Sequence, residues 1–377
     1  MIVNPDFVMT LKEFGAEKVT ECFNCGNCTA ICPLTSNEES FPRKIIRYVQ
    51  LGLIDKIKSS LEPWLCYYCG ECTNTCPRQA SPGETMMAVR RYLITSYDWT
   101  GFSRWLYKSK INEIISVLIL FFATLGIIYF FHGPIVTTHT ELETFAPAEI
   151  VHPAGYVFGT ILAVILLTNI YRMYKFTMKD VNVKIPFSLY IKEIKTLAVH
   201  FFTQMRLRLC SDPKSGIKSQ WRNHILVMTG YSVAFILVQI DLFTKWSLTN
   251  TPPPAWHPAK LFWSYATFAI LYATTVAMIG RIRKKQPYHQ YSHSTDWMFL
   301  ILLWLTTFTG LLVRIFMELD WPIPTYYAFA VHLALVVPLL ALEVPFAKWS
   351  HLAYRPFAIY FANIKKRAME LQKQVEG

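Results

Sequence analysis

Long apolar runs, separated by polar and mostly basic stretches, dominate the chain after residue 110. Six runs are long enough to cross a bilayer as helices of about 20 residues: 111–131, 154–175, 224–244, 261–280, 297–318 and 326–349. Several of these runs contain no charge for over a dozen residues. We therefore predict six membrane-spanning helices rather than buried helices of a soluble core.

The polar stretches also contain helical patterns. Apolar residues recur at helical spacing between the two cysteine-rich segments, over 36–60, and again over 82–97. The stretch 186–209 is amphipathic, and we expect it to lie along the inner membrane surface or to pack against the amino-terminal part. These patterns predict an all-α fold, with a helical amino-terminal domain followed by a six-helix transmembrane bundle.

The charge distribution predicts the orientation. The formal net charge is +12. The stretches that flank the apolar runs on one side of the membrane carry 21 Lys and Arg, and those on the other side carry 2. The 21 lie in 172–223, in 281–296 and in the chain from Lys348 onward. Positive flanks face the cytoplasm, so both termini are predicted to lie on the cytoplasmic side of the inner membrane. We find no nucleic-acid motif, and the basic excess is explained by topology and lipid contact. The predicted parts are a cytoplasmic domain (1–110), a membrane domain (111–355) with a cytoplasmic amphipathic loop (172–223), and a basic tail (356–377).

The amino-terminal domain contains one cysteine phrase twice, C-x2-C-x2-C-x3-C-P. The two copies are Cys22, Cys25, Cys28 and Cys32, followed by Pro33, and Cys66, Cys69, Cys72 and Cys76, followed by Pro77. This is the spacing of two-cluster ferredoxins, in which the fourth cysteine of each phrase ligates the other cluster. Disulfides would suit a secreted domain, and zinc sites rarely repeat a four-cysteine phrase that ends in proline.

The spacing assigns two [4Fe–4S] clusters. We assign cluster 1 to Cys22, Cys25, Cys28 and Cys76, and cluster 2 to Cys66, Cys69, Cys72 and Cys32. Such clusters imply a reducing compartment, which agrees with the orientation derived from charge. Cys210 is left over and is expected to be an inert small hydrophobic residue.

Histidines at the ends of the apolar runs are candidate ligands of two b haems. His224 and His351 lie at the cytoplasmic level and are predicted to share one haem iron. His332 lies near the outer end, and its partner is His152, His132 or His257, ranked in that order, or none. On one helix, His332 and His351 would be about 28 Å apart. For His289 and His293, which precede the fifth run, we expect an interfacial or proton-handling role.

Charges inside the apolar runs are candidates for the quinone site. They are Asp241, Arg314, Glu318 and Glu343, and ionisable groups at such positions are usually functional. Arg314 and Glu318 lie one helical turn apart and are expected to pair with each other. Structural ion pairs or polar helix contacts are the alternative for each of these residues. No Rossmann fingerprint for a flavin or nicotinamide is present.

The stretches Glu21–Pro33, Phe41–Arg47 and Trp64–Pro77 resemble the iron–sulfur C subunit of heterodisulfide reductases. From about Tyr156 onward the chain is similar to the cytochrome b subunit of heterodisulfide reductase and to the gamma subunit of respiratory nitrate reductase. The residues that carry this second likeness are Arg222–His224, Asp296-Trp297, Thr309-Gly310, His332 and Lys348–His351. In the nitrate reductase relatives a second ligand follows the first by about ten residues, where this chain has Ala234.

The fusion of both parts resembles the C subunits of quinone-interacting membrane-bound oxidoreductase complexes of sulfate reducers. That resemblance implies a quinone-linked oxidoreductase subunit that oxidises menaquinol. Electrons would pass through b haems and the clusters to two cytoplasmic FAD- and iron–sulfur-containing subunits, and then to adenylylsulfate reductase. The alternatives are a membrane anchor of a heterodisulfide reductase-like or sulfite-reduction-linked complex with another acceptor, and a purely structural anchor with a vestigial haem site.

Overall fold

A computed structural model describes residues 3–36, 40–209, 217–244, 254 and 256–376. The regular elements of these residues are helical, without strands, so the predicted all-α fold is confirmed. Cys210 and Lys245 lie outside the described residues. The amino-terminal domain contains α1 (Phe7–Glu13), α2 (Asn27–Ile31), α3 (Arg43–Gln50), α4 (Ile54–Ser59), α5 (Glu62–Leu65), α6 (Glu71–Asn74), α7 (Pro82–Tyr97) and α8 (Phe102–Lys108).

The core of this domain forms on the apolar faces that the sequence pattern predicted. Ile45, Ile46 and Val49 of α3 are buried, because their spacing places them on one side of the helix. They belong to the same apolar cluster as Trp64 and as Leu93 of α7. The predicted helix over 82–97 coincides with α7, which begins with proline, a residue suited to the first helical turn.

The remaining helices are mostly long and apolar. They are α9 (Lys110–Phe131), α10 (Leu142–Phe145), α11 (Ala148–Thr177), α12 (Phe187–Thr203), α13 (Met205–Leu209), α14 (Ile217–Thr244), α15 (Pro258–Arg283), α16 (Ser294–Glu318), α17 (Pro322–Pro338), α18 (Val344–Phe346) and α19 (His351–Glu376). Six helical stretches among the described residues are long and apolar enough to cross a membrane: Lys110–Phe131, Ala148–Thr177, Gln220–Thr244, Pro258–Arg283, Ser294–Glu318 and Pro322–Phe346.

The helices α14 to α17 pack in chain order, and α9 packs against α17. The helix α11 meets this group near its outer end, where the Tyr156 hydroxyl donates to the Leu242 carbonyl at 2.9 Å. Its inner end packs into the core of the amino-terminal domain through Ile170 and Met173. There Arg172 Nε donates to the Tyr97 carbonyl at 2.7 Å. The amino-terminal domain is thus packed directly on the membrane helices.

The sixth apolar run is interrupted before His351. The helix α17 ends at Pro338, a π-helical stretch follows over Leu339–Glu343, and the backbone turns at Ala347 (φ −126°, ψ −147°). Prolines break the helical hydrogen-bond ladder, and Pro338 and Pro345 lie on either side of the π-helical stretch. His351 begins the separate helix α19. The 28 Å distance expected for one continuous helix therefore does not apply to His332 and His351.

The predicted basic tail is a packed helix. Residues 356–376 form most of α19, which lies against α12. The Tyr360 hydroxyl donates to the Tyr190 carbonyl at 3.0 Å, and Arg367 Nη2 lies 2.9 Å from Glu193 Oε1. The predicted amphipathic stretch 186–209 is helical, as α12 and α13, and its buried Leu189 and Glu193 face inward. The count of Lys and Arg did not predict this packing, because such a count ignores the apolar residues between the charged ones.

Candidate iron–sulfur and haem sites

The two cysteine phrases fold into the same local structure. Each begins with an extended cysteine, Cys22 or Cys66. A glycine with positive φ follows, Gly26 (92°) or Gly70 (85°), and caps the short helix that carries the third cysteine. Glycine adopts this conformation without steric cost. The helices α2 and α6 lie side by side, and the Asn27 amide donates to the Thr75 carbonyl at 2.5 Å.

The fold groups the cysteines across the two phrases. Cys22, Cys25 and Cys76 act electrostatically on Cys28. Among the cysteines, Cys66 and Cys69 have the strongest electrostatic effect on Cys32. The same two cysteines have the strongest electrostatic effect on Cys72. The exchange of fourth ligands between the phrases stays a prediction, which the effects of Cys76 on Cys28 and of Cys66 and Cys69 on Cys32 support.

Burial opposes ionisation of the cysteine thiols. Burial, followed by repulsion from the neighbouring thiolates Cys66 and Cys69, raises the pKa of Cys32 to about 11. Burial is also the main cause that raises the pKa of Cys28. Coordinated metal ions stabilise thiolates that would otherwise hold their protons. In the described part of the chain, no three His, Cys, Asp or Glu side chains converge on one ion position. In a [4Fe–4S] cube each cysteine binds a different iron, so its four ligands do not converge on one ion.

The second cysteine phrase faces the membrane helices. A Cβ atom at Gly70 would lie 2.6 Å from Pro287 Cβ, in the turn between α15 and α16. Arg355 of α19 donates from Nη2 to the Cys66 carbonyl at 2.8 Å. Its guanidinium carbon also lies 4.2 Å from the centre of the Tyr67 ring. Cluster 2 would therefore sit beside the membrane part.

The first cysteine phrase faces outward. Cys25 is exposed, and the Phe23 side chain is 69% exposed. Arg78 lies over the Phe23 ring at 4.0 Å, and it lies 3.8 Å from Glu21 in a pair with both side chains about half exposed. Cluster 1 would therefore sit at the surface from which an external acceptor can be reached.

A buried group of charges joins the two parts. Asp296, near the start of α16, lies 3.2 Å from Arg91 Nη2 of α7 and 2.5 Å from Lys348 Nζ. Arg91 also donates to the Phe14 carbonyl at 2.8 Å. The side chains of Arg91 and Asp296 are 10% and 8% exposed. Desolvated charges require such partners, so this group fixes the amino-terminal domain on the membrane helices.

His224 and His351 face each other. Their ring centres are 5.9 Å apart, with the ring planes inclined by 73°. A histidine ring centre lies about 3 Å from a metal it ligates, so two axial ligands of one haem need ring centres about 6 Å apart. His351 Nδ1 is 2.5 Å from the Lys348 carbonyl, which leaves Nε2 available for iron. His224 Nδ1 is buried without a hydrogen-bond partner.

A cavity of about 420 Å³ adjoins this pair. It is lined by His224 and His351, and by Tyr67 and Tyr68 of the second cysteine phrase. His289 and His293 lie in its wall as well. Burial, followed by the Arg355 charge, holds the pKa of His351 well below its usual value, so the ring is neutral as a ligand must be. The predicted cytoplasmic pair fits a haem, and the structure brings it next to cluster 2.

His332 occupies a separate position between α16 and α17. Its Nδ1 lies 3.0 Å from the Thr306 carbonyl and 3.2 Å from Thr309 Oγ1. A Cβ atom at Gly310 would lie 3.0 Å from His332 Cε1. The fixed Nδ1 leaves Nε2 available for a metal. The close packing at Gly310 explains why a glycine stands beside this histidine.

The structure does not bring the predicted outer partners to His332. His132 stacks on Phe145 with ring centres 5.3 Å apart, and His257 Nδ1 accepts from the Ala259 amide at 3.2 Å. No hydrogen bond or ring contact in the described residues joins His152 to His332. Gly230, which follows His224 on α14, packs closely against α15, because a Cβ atom added there would lie 3.1 Å from Ala269 Cβ.

The candidate quinone residues have protein partners. Arg314 does not pair with Glu318 as predicted. Arg314 Nη1 donates to Ser264 Oγ at 3.2 Å, and Glu318 Oε1 lies 2.6 Å from Lys260 Nζ. Both side chains reach across to α15 because that helix lies alongside α16.

Glu343 and Asp241 are both 1% exposed. Glu343 Oε2 accepts from the Lys348 amide at 3.1 Å and thereby stabilises the turn before His351. This contact supports the structural alternative for Glu343. Asp241 lies near the outer end of α14.

The sequence reasoning missed the residues that connect the two parts. Arg91 and Arg355 were counted only as charges or not singled out, and Lys348 was noted only as part of the stretch Lys348–His351, although each makes a specific contact between the two parts. A signal was available for Arg355, which lies one helical turn after His351 in the sequence. Its contact with Cys66, 289 residues away, could not be inferred from that spacing.

Comparison with known proteins supports the amino-terminal assignment. Residues 21–81 match the family of 4Fe-4S dicluster domains. The chain is 42% identical over 88 residues to a protein of Archaeoglobus profundus that is named as like the C subunit of heterodisulfide reductase. The matched stretch covers 23% of this chain and 47% of that protein. It is 38% identical over 71 residues to the iron-sulfur C subunit of the CoB–CoM heterodisulfide reductase of Methanopyrus kandleri, over 17% of this chain and 37% of that protein.

These likenesses are confined to part of each protein. The chain spans less than half the length of the curated relatives it matches, and no solved structure matches it. The likeness is thus to iron–sulfur proteins, and the predicted haem ligands are argued from the geometry of this chain alone. The amino-terminal part of the chain is a 4Fe–4S domain like that of the heterodisulfide reductase C subunits, and six apolar helices accompany it.

Proposed function

We propose that this protein is a membrane electron-transfer subunit that oxidises menaquinol and delivers the electrons to cytoplasmic flavoprotein partners. The observation that carries the proposal is the facing pair His224 and His351, beside a cavity that also reaches Tyr67 of the second cysteine phrase. A b haem bound here supplies a one-electron carrier between the membrane and cluster 2. A second b haem would be held at His332.

The residues of the chain support the proposed order of the carriers. Arg355 contacts the Cys66 carbonyl one helical turn after His351, so electrons would enter the iron–sulfur domain at cluster 2. Cys25 is exposed, so they would leave from cluster 1. We infer that the acceptors are two cytoplasmic FAD- and iron–sulfur-containing subunits, and that these reduce adenylylsulfate reductase. The protein would lie in the inner membrane with both termini cytoplasmic, as the positive flanks predict.

A second candidate acceptor is favoured by the relatives, which are named as heterodisulfide reductase subunits. In that case the chain would be the membrane anchor of a heterodisulfide reductase-like complex. The protein that copurifies separates the two possibilities. Two flavin-containing subunits support the first proposal, whereas a catalytic subunit with its own cysteine-rich cluster motif supports the second.

The haem assignment is tested by optical spectra of the purified, dithionite-reduced protein. We expect b-type bands, and we expect His351→Ala to remove the cytoplasmic haem while the cluster signals in electron paramagnetic resonance (EPR) remain. The matched control is His289→Ala, because His289 lines the same cavity but packs on Gly280. Unchanged haem content in His351→Ala would refute the assignment. Reduction of the haems by a menaquinol analogue, followed by reoxidation by the partner subunits, tests the whole path.

A further inference from the structure

Arg90 is a buried cation in the wall of the cavity beside the histidine pair. The residue is 8% exposed, and it lines the same cavity as His224 and His351. Its Nε donates to the Pro63 carbonyl at 2.5 Å. Its Nη2 is buried and has no hydrogen-bond partner. A buried donor without an acceptor is costly, so a ligand that accepts a hydrogen bond here would be favoured.

A second guanidinium, that of Arg355, belongs to the lining of the same cavity. The groups that act most strongly on Arg90 are Arg355, Cys66, Tyr67 and Arg91, and none of these is a carboxylate. Burial and the Arg355 charge lower the pKa of Arg90 to about 9. Two like charges repel strongly where water is excluded. An anion between them would relieve both the repulsion and the unsatisfied donor.

We propose that Arg90 and Arg355 bind the propionate carboxylates of the haem held by His224 and His351. The inference rests on the proposed function, since it requires that haem. Guanidinium groups match carboxylates in shape and bind them through paired hydrogen bonds. Arg355 follows His351 by one helical turn, and both arginines line the cavity that the pair adjoins. The carboxylate edge of the haem would then point toward the Cys66 loop.

A competing explanation is that the two arginines only offset the negative charge of cluster 2, since Arg355 contacts the Cys66 carbonyl. The two sources of negative charge are distinguishable, because the haem and the clusters give separate signals. The haem is followed by visible absorption and cluster 2 by EPR, in redox titrations of the same full-length protein. Infrared difference spectra of protein carrying ¹³C-labelled haem propionates report the carboxylates directly.

The experiment compares Arg90→Gln and Arg355→Gln with the control Arg78→Gln. Arg78 is a cation of the same domain, but it is about half exposed and lies over Phe23 at cluster 1. Loss of a nearby positive charge disfavours the reduced haem. We expect each test variant to lower the electron affinity of the cytoplasmic haem about tenfold, which is about 59 mV for one electron. We also expect the labelled carboxylate bands to shift. The control should change the affinity less than twofold.

Two results would overturn the inference. In the first, both glutamine variants keep the wild-type haem potential and unchanged carboxylate bands, and only the potential of cluster 2 shifts. The other is an effect of Arg78→Gln equal to theirs. If Arg90→Gln does not assemble clusters, Arg90→Lys keeps the charge but loses the planar fork, and it should shift the carboxylate bands with little change in potential. Unshifted bands in that variant also contradict the inference. Absence of b-type haem from the wild type would instead refute the proposed function.

Discussion

Replacing Asp296 by Asn should loosen the amino-terminal domain from the membrane helices. Asp296 is the shared partner of Arg91 at 3.2 Å and of Lys348 at 2.5 Å. Asparagine has nearly the same shape and can still accept the hydrogen bond from the His293 amide. The substitution therefore removes the charge while it retains the capping of α16. It leaves the buried Arg91 and the partly exposed Lys348 without their anion.

The structure sets the size of this effect. The Arg91 and Asp296 side chains are 10% and 8% exposed, and removal of one partner from such a buried pair costs about 3–5 kcal/mol. The matched control is Glu21→Gln, which breaks the pair with Arg78. That pair is 3.8 Å long with both side chains about half exposed, and such surface pairs contribute about 0–1 kcal/mol.

The assay is the rate at which cluster absorbance is lost on heating the intact protein in detergent. If the pair breaks when the domain detaches, the substitution lowers the activation free energy of bleaching by about 3 kcal/mol, and bleaching becomes roughly 100-fold faster. The control should change the rate less than tenfold. The variant Arg91→Gln combined with Asp296→Asn should cost less than the sum of the single changes, because the residues are in contact. Additive effects, or a rate for Asp296→Asn within the range of the control, would show that this group does not hold the domain in place.

Three further predictions concern the cysteine phrases. Gly70→Ala should slow electron transfer from haem to cluster 2, because its methyl group collides with the neighbouring turn. Gly26→Ala is the control, because it has the same backbone strain without a collision. Equal kinetics in the two variants would contradict the assigned interface. Cys76→Ser should alter the EPR signal of cluster 1, although it lies in the second phrase, and an effect confined to cluster 2 would refute the exchanged ligation. Phe23→Ser should slow reduction of the external acceptor while both clusters remain intact by EPR, and an unchanged rate would argue against exit at cluster 1.

The helices and the cysteine ligands could be predicted from local features of the sequence. Periodicity placed α7 and the six apolar helices, because the spacing of apolar side chains reflects the faces they bury. Residues such as Cys22 and Cys66 were identified by spacing, since three ligands of each cluster lie within one short loop. The placement of His332 and His351 on different helices was not predicted, because the sequence shows prolines but not the direction in which the chain turns after them.

The sequence by itself determined the parts of the proposed electron path: eight cysteines for two clusters, six apolar helices, and the candidate haem histidines. Only the tertiary structure decided how these parts are connected. Arg355 reaches Cys66, Asp296 reaches Arg91, and Gly70 meets Pro287 across long separations in the chain. Such contacts depend on how helices from distant parts of the sequence pack together, and neither motif spacing nor hydrophobic periodicity carries that information. Packing therefore decided which cysteine phrase contacts the part that contains the apolar helices and which phrase is exposed.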